Sequence, residues 1–289
     1  MRITYILNNG KINISCELFP PKTDDKFKEA KTVVREIAAL SPSYMSVTYG
    51  AAGTASGKTL EIADEIQNGC GVTALAHLTC VASDKDKIKG VLKSLKEKNI
   101  ENILALRGDL PEGCDFPFSE NYKHASDLMR EITDFGGFCI GGACYPEGHP
   151  ESDTIYKDIE NLKIKQDSGC SFLTTQMFFD NNILYNYMYK LLKAGVTIPV
   201  IAGIMPVTNA AQIKRIITLS GSLIPSRFKA IVDRFADSPE AMKQAGIAYA
   251  TEQIIDLAAN GVNNIHIYTM NKPDVAGSIM KNLSDIIGG

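Results

Sequence analysis

The stretch Glu-Asn-Ile-Leu-Ala-Leu-Arg-Gly-Asp at residues 101–109 decides the fold, because it is an apolar run that ends in a cation, a glycine and an anion. The run has the length of a buried strand, and such a strand has no structural use for Arg107 and Asp109 at its end. Side-chain direction repeats every two residues, so both charges should share a face with Ile103 and Ala105. If that face looks into a barrel, the charges lie at its open mouth, where we expect the chemistry.

Similar apolar runs recur along the chain and alternate with helical patterns. The predicted strands lie at residues 12–19, 44–50, 72–80, 101–109, 138–146, 171–179, 197–205 and 263–270. Between them, residues 24–40, 84–98 and 182–194 place apolar side chains at spacings of three and four, which is typical of amphipathic helices. This alternation predicts parallel strands joined by crossover helices, and eight units favour an α/β (β/α)8 TIM barrel over an open doubly wound sheet.

The segment 207–262 departs from the alternation because it is long and helical, with turns near Gly221, Pro225 and Pro239. We interpret it as extra helices before the last strand. The chain contains no linker and no low-complexity tract, so residues 1–289 are expected to form a single barrel domain.

The bulk composition argues against several function classes. A hydrophobic fraction of 45% and a charged fraction of 22% are typical of a globular protein, and a net charge of -3 gives no reason to expect nucleic acid. No apolar stretch approaches the roughly 20 residues that a membrane-spanning helix needs. The N-terminus is too short and too polar for a signal peptide, so we expect a cytoplasmic protein without a membrane partner.

Patterns that could indicate other sites are incomplete. The seven cysteines include no Cys-x-x-Cys pair, and the histidines at 77, 124, 149 and 266 lack the local spacing of metal ligands, so no metal site is expected. Residues 53–59 resemble a phosphate-binding loop. However, Ala52 occupies the position of the loop's first glycine, so a nucleotide-triphosphate site is not expected.

Polar residues end six of the predicted strands. On the first strand, Glu17 should point into the barrel with Asn13 and Ser15, close to the carboxyl end. A carboxylate shielded from water there suits a general acid, and the alternative is a rim glutamate paired with an arginine or lysine. The other strand-end residues are Thr48, Tyr49, His77, Arg107, Asp109, Tyr145 and Gln176. Barrel active sites are built from such positions, whereas the alternative for the whole set is a solvated rim.

Ten motifs follow one another along the chain in the order of a known family. They are Cys-Glu-Leu-Phe-Pro-Pro (16–21), Val-Thr-Tyr-Gly-Ala (47–51), His-Leu-Thr-Cys (77–80), Ala-Leu-Arg-Gly-Asp-Leu-Pro (105–111), Ala-Ser-Asp-Leu (125–128), Tyr-Pro-Glu-Gly-His-Pro (145–150), Asn-Leu-Lys (161–163), Thr-Gln-Met-Phe-Phe-Asp (175–180), Gly-Ile-Met-Pro-Val-Thr-Asn (203–209) and Ile-Tyr-Thr-Met-Asn (267–271). With these motifs the chain resembles the catalytic barrel of the methylenetetrahydrofolate reductases, flavoenzymes of one-carbon metabolism, over residues 12–285. The C-terminal regulatory domain of the eukaryotic members is not expected in this chain.

The resemblance implies that a reduced flavin passes hydride to the methylene carbon of 5,10-methylenetetrahydrofolate and gives 5-methyltetrahydrofolate. The imidazolidine ring must first open to a 5-iminium cation, which needs a proton at N10, and the family's general acid matches Glu17. The family's aspartate beside flavin and pterin matches Asp109, whose charge would favour the cation. Gln176 matches the glutamine that orients the pterin and meets the nicotinamide, and Gln212 matches a second glutamine near the substrate.

The resemblance also implies a flavin, either FAD or FMN, with NADH or NADPH as a possible electron donor. Positions that match the family's flavin contacts are Thr48, His77, Arg107, Gly108, Asp109, Ala125, Tyr145, His149, Asp158, Asn161 and Lys165. By their chemistry, Arg107 and Lys165 suit a pyrophosphate, whereas Asp158 and Asn161 suit ribityl or ribose hydroxyls.

Two positions depart from the family. Ile216 replaces an aromatic residue that packs against folate or the nicotinamide cofactor, and it cannot stack. Lys272 replaces the arginine that meets the folate glutamate tail, and it lacks the bidentate guanidinium fork. Two alternatives therefore stay open: a reductase that uses NAD(P)H directly, or a flavin- and folate-binding subunit fed by a small electron-transfer partner. A homo-oligomer is expected. A proline dehydrogenase-like flavin barrel is a further alternative, in which Glu17 would have no N10 to protonate.

Overall fold

The barrel is closed and parallel. The computed structural model describes residues 1–21, 23–49, 56–81, 83–110, 121–213, 216 and 222–288, with only the backbone at Ser56. Within them the strands, in spatial and chain order, are β1 Asn13–Leu18, β2 Met45–Val47, β3 Ala74–Thr79, β4 Asn102–Leu106, β5 Cys139–Cys144, β6 Phe172–Thr175, β7 Val200–Ile204 and β8 Asn264–Tyr268. β8 returns to β1 in the register Glu17↔Tyr268. The predicted (β/α)8 fold is confirmed, and each predicted strand contains one observed strand.

Helices follow the strands in the expected alternation. Their bounds are α1 Ile3–Leu7, α2 Phe27–Ala38, α3 Ser56–Asp64, α4 Lys85–Glu97, α5 Ala125–Phe135, α6 Ile155–Asp167, α7 Asn181–Lys193, α8 Ser226–Phe235, α9 Pro239–Ala259, α10 Pro273–Asn282 and α11 Ser284–Ile287. The helices α8 and α9 precede the last strand, as predicted for the segment 207–262, and α9 begins with its proline in the first turn. None of the described helices is both long enough and apolar enough to cross a membrane.

The two faces of β1 follow the prediction. Ile14, Cys16 and Leu18 pack into the large apolar core between the strands and the helices. Ser15 and Glu17 face the barrel interior, where both approach the imidazole of β8. Because this strand alternates between apolar and polar residues, its sequence alone determines which side is buried against helices.

The predicted orientation of β4 was wrong. Ile103 and Ala105 pack into the core between strands and helices, whereas Leu104 and Leu106 belong to the cluster inside the barrel. The strand pairs with β3 so that Leu104 lies beside His77, which sets the inward face. Every residue from Ile103 to Leu106 is apolar, so the strand carries no alternation that could have revealed the orientation.

A short helix closes the amino-terminal end of the barrel. Ile3, Ile6 and Leu7 of α1 belong to the inner cluster together with Leu104 and Phe172, which project from the strands. No sequence pattern had predicted this helix, because five residues are too few to show a helical period. With this end closed, the opposite, carboxyl-terminal end is where the strand-end polar residues gather.

Candidate functional site

Glu17 lies at the carboxyl end of β1 between two imidazoles. Its Oε2 atom is 3.7 Å from His77 Nε2 and 3.8 Å from His266 Nε2. The Glu17 side chain is 20% exposed, whereas both histidines are buried. Among the described residues the ion-pair contacts of Glu17 are with these histidines, so the alternative of a rim carboxylate paired with an arginine or lysine does not apply there.

His77 contributes an unpaired nitrogen to the barrel mouth. Its Nε2 atom is buried and has no hydrogen-bond partner among the described residues. Burial is the main cause that lowers the pKa of His77 to about 4, and the nearby Glu17 carboxylate opposes that shift. The ring is therefore neutral at neutral pH, and it can accept or donate one hydrogen bond to a group that enters the mouth.

Arg107 follows β4 and is held by a residue that the sequence did not single out. Its Nη1 and Nη2 atoms bind the two carboxylate oxygens of Glu151 at 2.5 and 2.6 Å. This pairing raises the pKa of Arg107 and lowers that of Glu151. Gly108 comes next with φ +89°, and a Cβ there would lie 2.8 Å from Val81 Cγ1, so the turn requires glycine. Asp109 follows it and is exposed.

A second group of predicted residues meets after β5 and on α6. The rings of Tyr145 and His149 meet edge to face, with their centroids 4.6 Å apart. The His149 backbone N–H donates to Asp158 Oδ2 at 3.2 Å. Lys165 Nζ donates to the Ala143 carbonyl at 2.8 Å. Burial raises the pKa of Asp158 and lowers that of Lys165. The structure therefore places an anion, a cation and two rings together beside the barrel mouth.

The predicted substrate residues Gln176, Gln212 and Lys272 follow β6, β7 and β8, and Gln212 is in a helical segment. Gln176 follows β6, and its Oε1 accepts a hydrogen bond from the Met177 backbone N–H at 3.0 Å. Lys272 Nζ donates to Thr208 Oγ1 at 2.9 Å, and the Thr208 N–H donates to Gln212 Oε1 at 3.2 Å. Thr208 thus links two residues that were predicted separately.

The remaining predicted contacts differ in accessibility. Thr48 follows β2, where its N–H donates to the Leu18 carbonyl at 2.9 Å. Ala125 is buried as the first residue of α5. Asn161 lies on α6, three residues after Asp158, and its side chain is exposed to solvent.

Ile216 is buried in a separate apolar cluster. It is 7% exposed and packs with residues of the loops and helices after β6 and β7, among them Phe179, Val207 and Phe228. Its side chain therefore serves the packing of the extra helices.

Within the described part of the chain, no group of three or more histidine, cysteine, aspartate or glutamate side chains is arranged to hold a metal ion.

The chain is similar to a family of known enzymes over nearly its whole length. The family model described as methylenetetrahydrofolate reductase matches residues 2–284. The chain belongs to the methylenetetrahydrofolate reductase family. The 5,10-methylenetetrahydrofolate reductase of Escherichia coli (strain K12) is 34% identical over 274 residues, which cover 95% of this chain and 91% of that relative. The corresponding protein of Pectobacterium carotovorum is 32% identical with the same coverage.

Plant relatives and a solved structure extend the comparison. "Methylenetetrahydrofolate reductase (NADH) 1" of Zea mays is 33% identical over 297 residues, which cover 98% of this chain and 50% of the relative, so this chain spans about half its length. A solved protein from Clostridium thermocellum, described as binding two copies of 5-methyl-5,6,7,8-tetrahydrofolic acid, has a TM-score of 0.63 at 16% identity and covers 99% of both chains. At this identity it supports the fold.

Several site residues of this methylenetetrahydrofolate reductase barrel were missed from sequence. His266 was considered only as a metal ligand. Tyr268, whose ring edge meets the His266 ring at a centroid distance of 5.6 Å, was not considered, and neither were Glu151 and Thr208. On β8 the residues Asn264, His266 and Tyr268 alternate with isoleucines, so the two-residue period was a signal for His266 and Tyr268. Glu151 and Thr208 lie in loops, where no period applies and only the folded chain reveals their contacts.

Proposed function

We propose that the chain is a flavin-dependent reductase that converts 5,10-methylenetetrahydrofolate into 5-methyltetrahydrofolate. The observation that carries this proposal is Glu17, a partly exposed carboxylate at the mouth of the barrel between two buried imidazoles. The family match over residues 2–284 and the names of the bacterial relatives support the reaction. The folate ligand named for the Clostridium thermocellum protein supports a folate as the ligand of this chain.

Residues on β3, after β4 and after β5 fit a flavin nucleotide, FAD or alternatively FMN. The Arg107 fork binds a carboxylate in the bidentate geometry in which a guanidinium binds phosphate. Lys165 adds a point charge, and the Asp158 carboxylate suits a sugar hydroxyl. The unpaired Nε2 of His77 offers a buried polar partner to a polar ring edge. When bound, the flavin supplies hydride to the folate.

Glu17 acts as the general acid in this proposal. It gives its proton to N10 of the folate, and the bond between N10 and the methylene carbon breaks to form the 5-iminium cation. The partial exposure of Glu17 lets substrate and solvent reach the carboxyl group. Asp109 supplies a negative charge that stabilises the cation, and Gln176 orients the pterin.

The folate tail meets the loops after β7 and β8. Lys272 offers one ammonium group to a tail carboxylate, and Gln212 lies on the same hydrogen-bonded chain through Thr208. Lysine binds as a point charge, so it fixes the direction of the carboxylate less strictly than arginine would.

The proposal also covers the electron donor and the setting of the enzyme. NADH or NADPH would supply the electrons, and the name of the Zea mays relative supports NADH. A second candidate is a flavin- and folate-binding subunit that receives electrons from a small partner, and the burial of Ile216 in an apolar cluster favours it.

We further propose a single-domain chain of 1–289 that forms a homo-oligomer in the cytoplasm.

Glu17→Gln separates the two halves of the reaction. Anaerobic stopped-flow absorbance follows flavin reduction by NADH, and then flavin reoxidation by 5,10-methylenetetrahydrofolate. The variant should reduce its flavin at the wild-type rate and reoxidise it roughly 10²- to 10⁴-fold more slowly, because only the second half needs the proton. Glu160→Gln, on the exposed surface of α6, is the matched control. Equal losses in both halves would refute the acid assignment.

The same instrument distinguishes the two electron sources. Fast bleaching of wild-type flavin by NADH would establish direct reduction. If NADH fails but dithionite-reduced protein is reoxidised by the folate, the folate chemistry holds and electrons arrive through a partner. Failure of both donor-reduced and dithionite-reduced protein to react with the folate would overturn the proposed function.

A further inference from the structure

The guanidinium group of Arg107 has two edges on which two parallel N–H groups can bind one anion. On the first edge, Nη1 and Nη2 donate to the two carboxylate oxygens of Glu151 at 2.5 and 2.6 Å. On the second edge, Nε donates to the Gly108 carbonyl at 3.2 Å. A further anion can therefore bind through two parallel hydrogen bonds only where one of these acceptors leaves.

The Gly108 carbonyl belongs to a constrained turn after β4. Gly108 has φ +89°, and a Cβ there would lie 2.8 Å from Val81 Cγ1. The Val81 backbone N–H also donates to the Arg107 carbonyl at 2.8 Å, which ties the turn to the loop after β3. The backbone fixes this acceptor, so Glu151 is the one that can leave.

The Glu151 side chain can rotate into solvent while its backbone stays in place. It is 55% exposed, whereas the Arg107 side chain is 20% exposed. The Glu151 backbone N–H donates to His149 Nδ1 at 3.1 Å, and the His149 N–H donates to Asp158, so the backbone is anchored to α6. An ion pair with one partner this exposed contributes little to stability, so release of the carboxylate costs little.

Both members of the pair are charged at neutral pH. The hydrogen bonds from Arg107 lower the pKa of Glu151, and the same pairing raises the pKa of Arg107. The pair as formed has no net charge, whereas Arg107 without Glu151 presents a full positive charge. A phosphate group binds two parallel donors as a carboxylate does, so the two groups compete for the same edge.

We propose that Glu151 determines the affinity of the cofactor site: its carboxylate occupies the place of a flavin phosphate on Arg107 and rotates into solvent when the nucleotide binds. This inference rests on the proposed flavin, and it adds a residue that competes with the cofactor. The bonds from Arg107 to phosphate form only after those to Glu151 break. Glu151 therefore weakens flavin binding, and its removal should strengthen it.

Glu151→Gln tests this by fluorescence titration of the flavin-free, full-length chain with FAD and, in parallel, with FMN. The variant should bind the flavin nucleotide roughly fivefold more tightly than wild type, because the competing ion pair is gone. Glu160→Gln removes the same charge from another exposed ion pair, that with Lys157 on α6, and should leave the affinity unchanged. An unchanged affinity in Glu151→Gln would overturn the proposal. Weaker binding would also overturn it, because Glu151 would then hold Arg107 in place for the cofactor.

A double-mutant cycle separates direct competition from repulsion at a distance. In an Arg107→Met background there is no fork to compete for, so Glu151→Gln should no longer strengthen binding. A gain of the same size in that background would overturn the proposal. Glu151→Ala is a second variant, which removes the carboxylate without offering an amide to Arg107, and it should show the same gain as Glu151→Gln.

Inorganic pyrophosphate identifies the group that displaces the carboxylate. It carries phosphate without the flavin ring, so it should displace FAD from Glu151→Gln at lower concentration than from Glu160→Gln. Equal concentrations would overturn phosphate as the competing group. If wild type binds FAD or FMN and Glu151→Gln binds it equally well, this inference fails and the proposed function stands. If wild type and all variants bind neither nucleotide, the proposed function fails and the inference with it.

Discussion

Replacement of Asn102 by alanine should loosen the helix that closes the amino-terminal end of the barrel. Asn102 is fully buried at the start of β4. Its Oδ1 accepts a hydrogen bond from the Ile3 N–H at 2.9 Å, and its Nδ2 donates to the carbonyls of Met1 at 3.0 Å and Ala74 at 3.1 Å. One side chain therefore joins the N-terminal segment to two neighbouring strands.

The expected loss follows from these three bonds. Each contributes about 1 kcal/mol net, so alanine should lower the free energy of unfolding by roughly 3 kcal/mol, with the Ile3 N–H left without its partner. The unfolding entropy is about 2.1 cal/mol/K per residue, which for 289 residues is about 0.6 kcal/mol/K. The melting temperature should therefore fall by about 5 °C.

Circular dichroism melts of the flavin-free protein measure this shift. Asn8→Ala is the matched control, because the Asn8 side chain is exposed and, among the described contacts, bonds only to the Thr4 carbonyl. It should change the stability by no more than about 0.5 kcal/mol. Asn102→Asp should be at least as damaging as alanine, since a buried carboxylate would face the Met1 and Ala74 carbonyls. A melting temperature for Asn102→Ala within about 1 °C of wild type would refute the reasoning.

Two further predictions concern the site. Lys165→Met should weaken flavin binding roughly tenfold or more by removing a phosphate partner. Lys163 is exposed and paired with Asp167, so Lys163→Met should not weaken it. Fluorescence titration with flavin measures both affinities, and equal affinities would contradict the flavin site. His77 has a pKa of about 4 in the folded protein and about 6.5 when unfolded, so between these values the unfolded chain binds the extra proton. Stability should therefore rise with pH through this window and fall by up to about 3 kcal/mol towards its acid end. His77→Gln should reduce that acid loss in urea unfolding, and an undiminished loss would contradict the role of burial.

Prediction from sequence succeeded where a pattern is local. The strand β1 alternates between apolar and polar residues, so its two faces, and with them the inward position of Glu17, followed from a period of two. The helices α2, α4 and α7 each carry an apolar stripe and were located within a few residues. The family motifs predicted roles for residues such as Asn161 and Lys165, which no spacing could have distinguished from solvated helix residues, and those roles stay predictions.

Prediction from sequence was wrong, or made no statement, where the pairing of distant segments determines the position of a side chain. The inward face of β4 is set by its register with β3, and an all-apolar strand does not record that register in its own sequence. The contact of Arg107 with Glu151 spans 44 positions, and the contact of Ser15 with His266 spans 251. The first contact needs β4 to pair with β5, and the second needs β8 to close onto β1.

The sequence by itself determined the number and order of the strands, the faces of those that alternate, and the kind of chemistry that the strand ends can perform. These properties depend on side chains within one element, where the helical or strand period is short. Only the tertiary structure decided that Glu17 lies between His77 and His266, because the closure of β8 onto β1 brings the two ends of the chain together. The environment of the Glu17 carboxylate is thus a product of barrel closure, although the carboxylate itself is visible in the sequence.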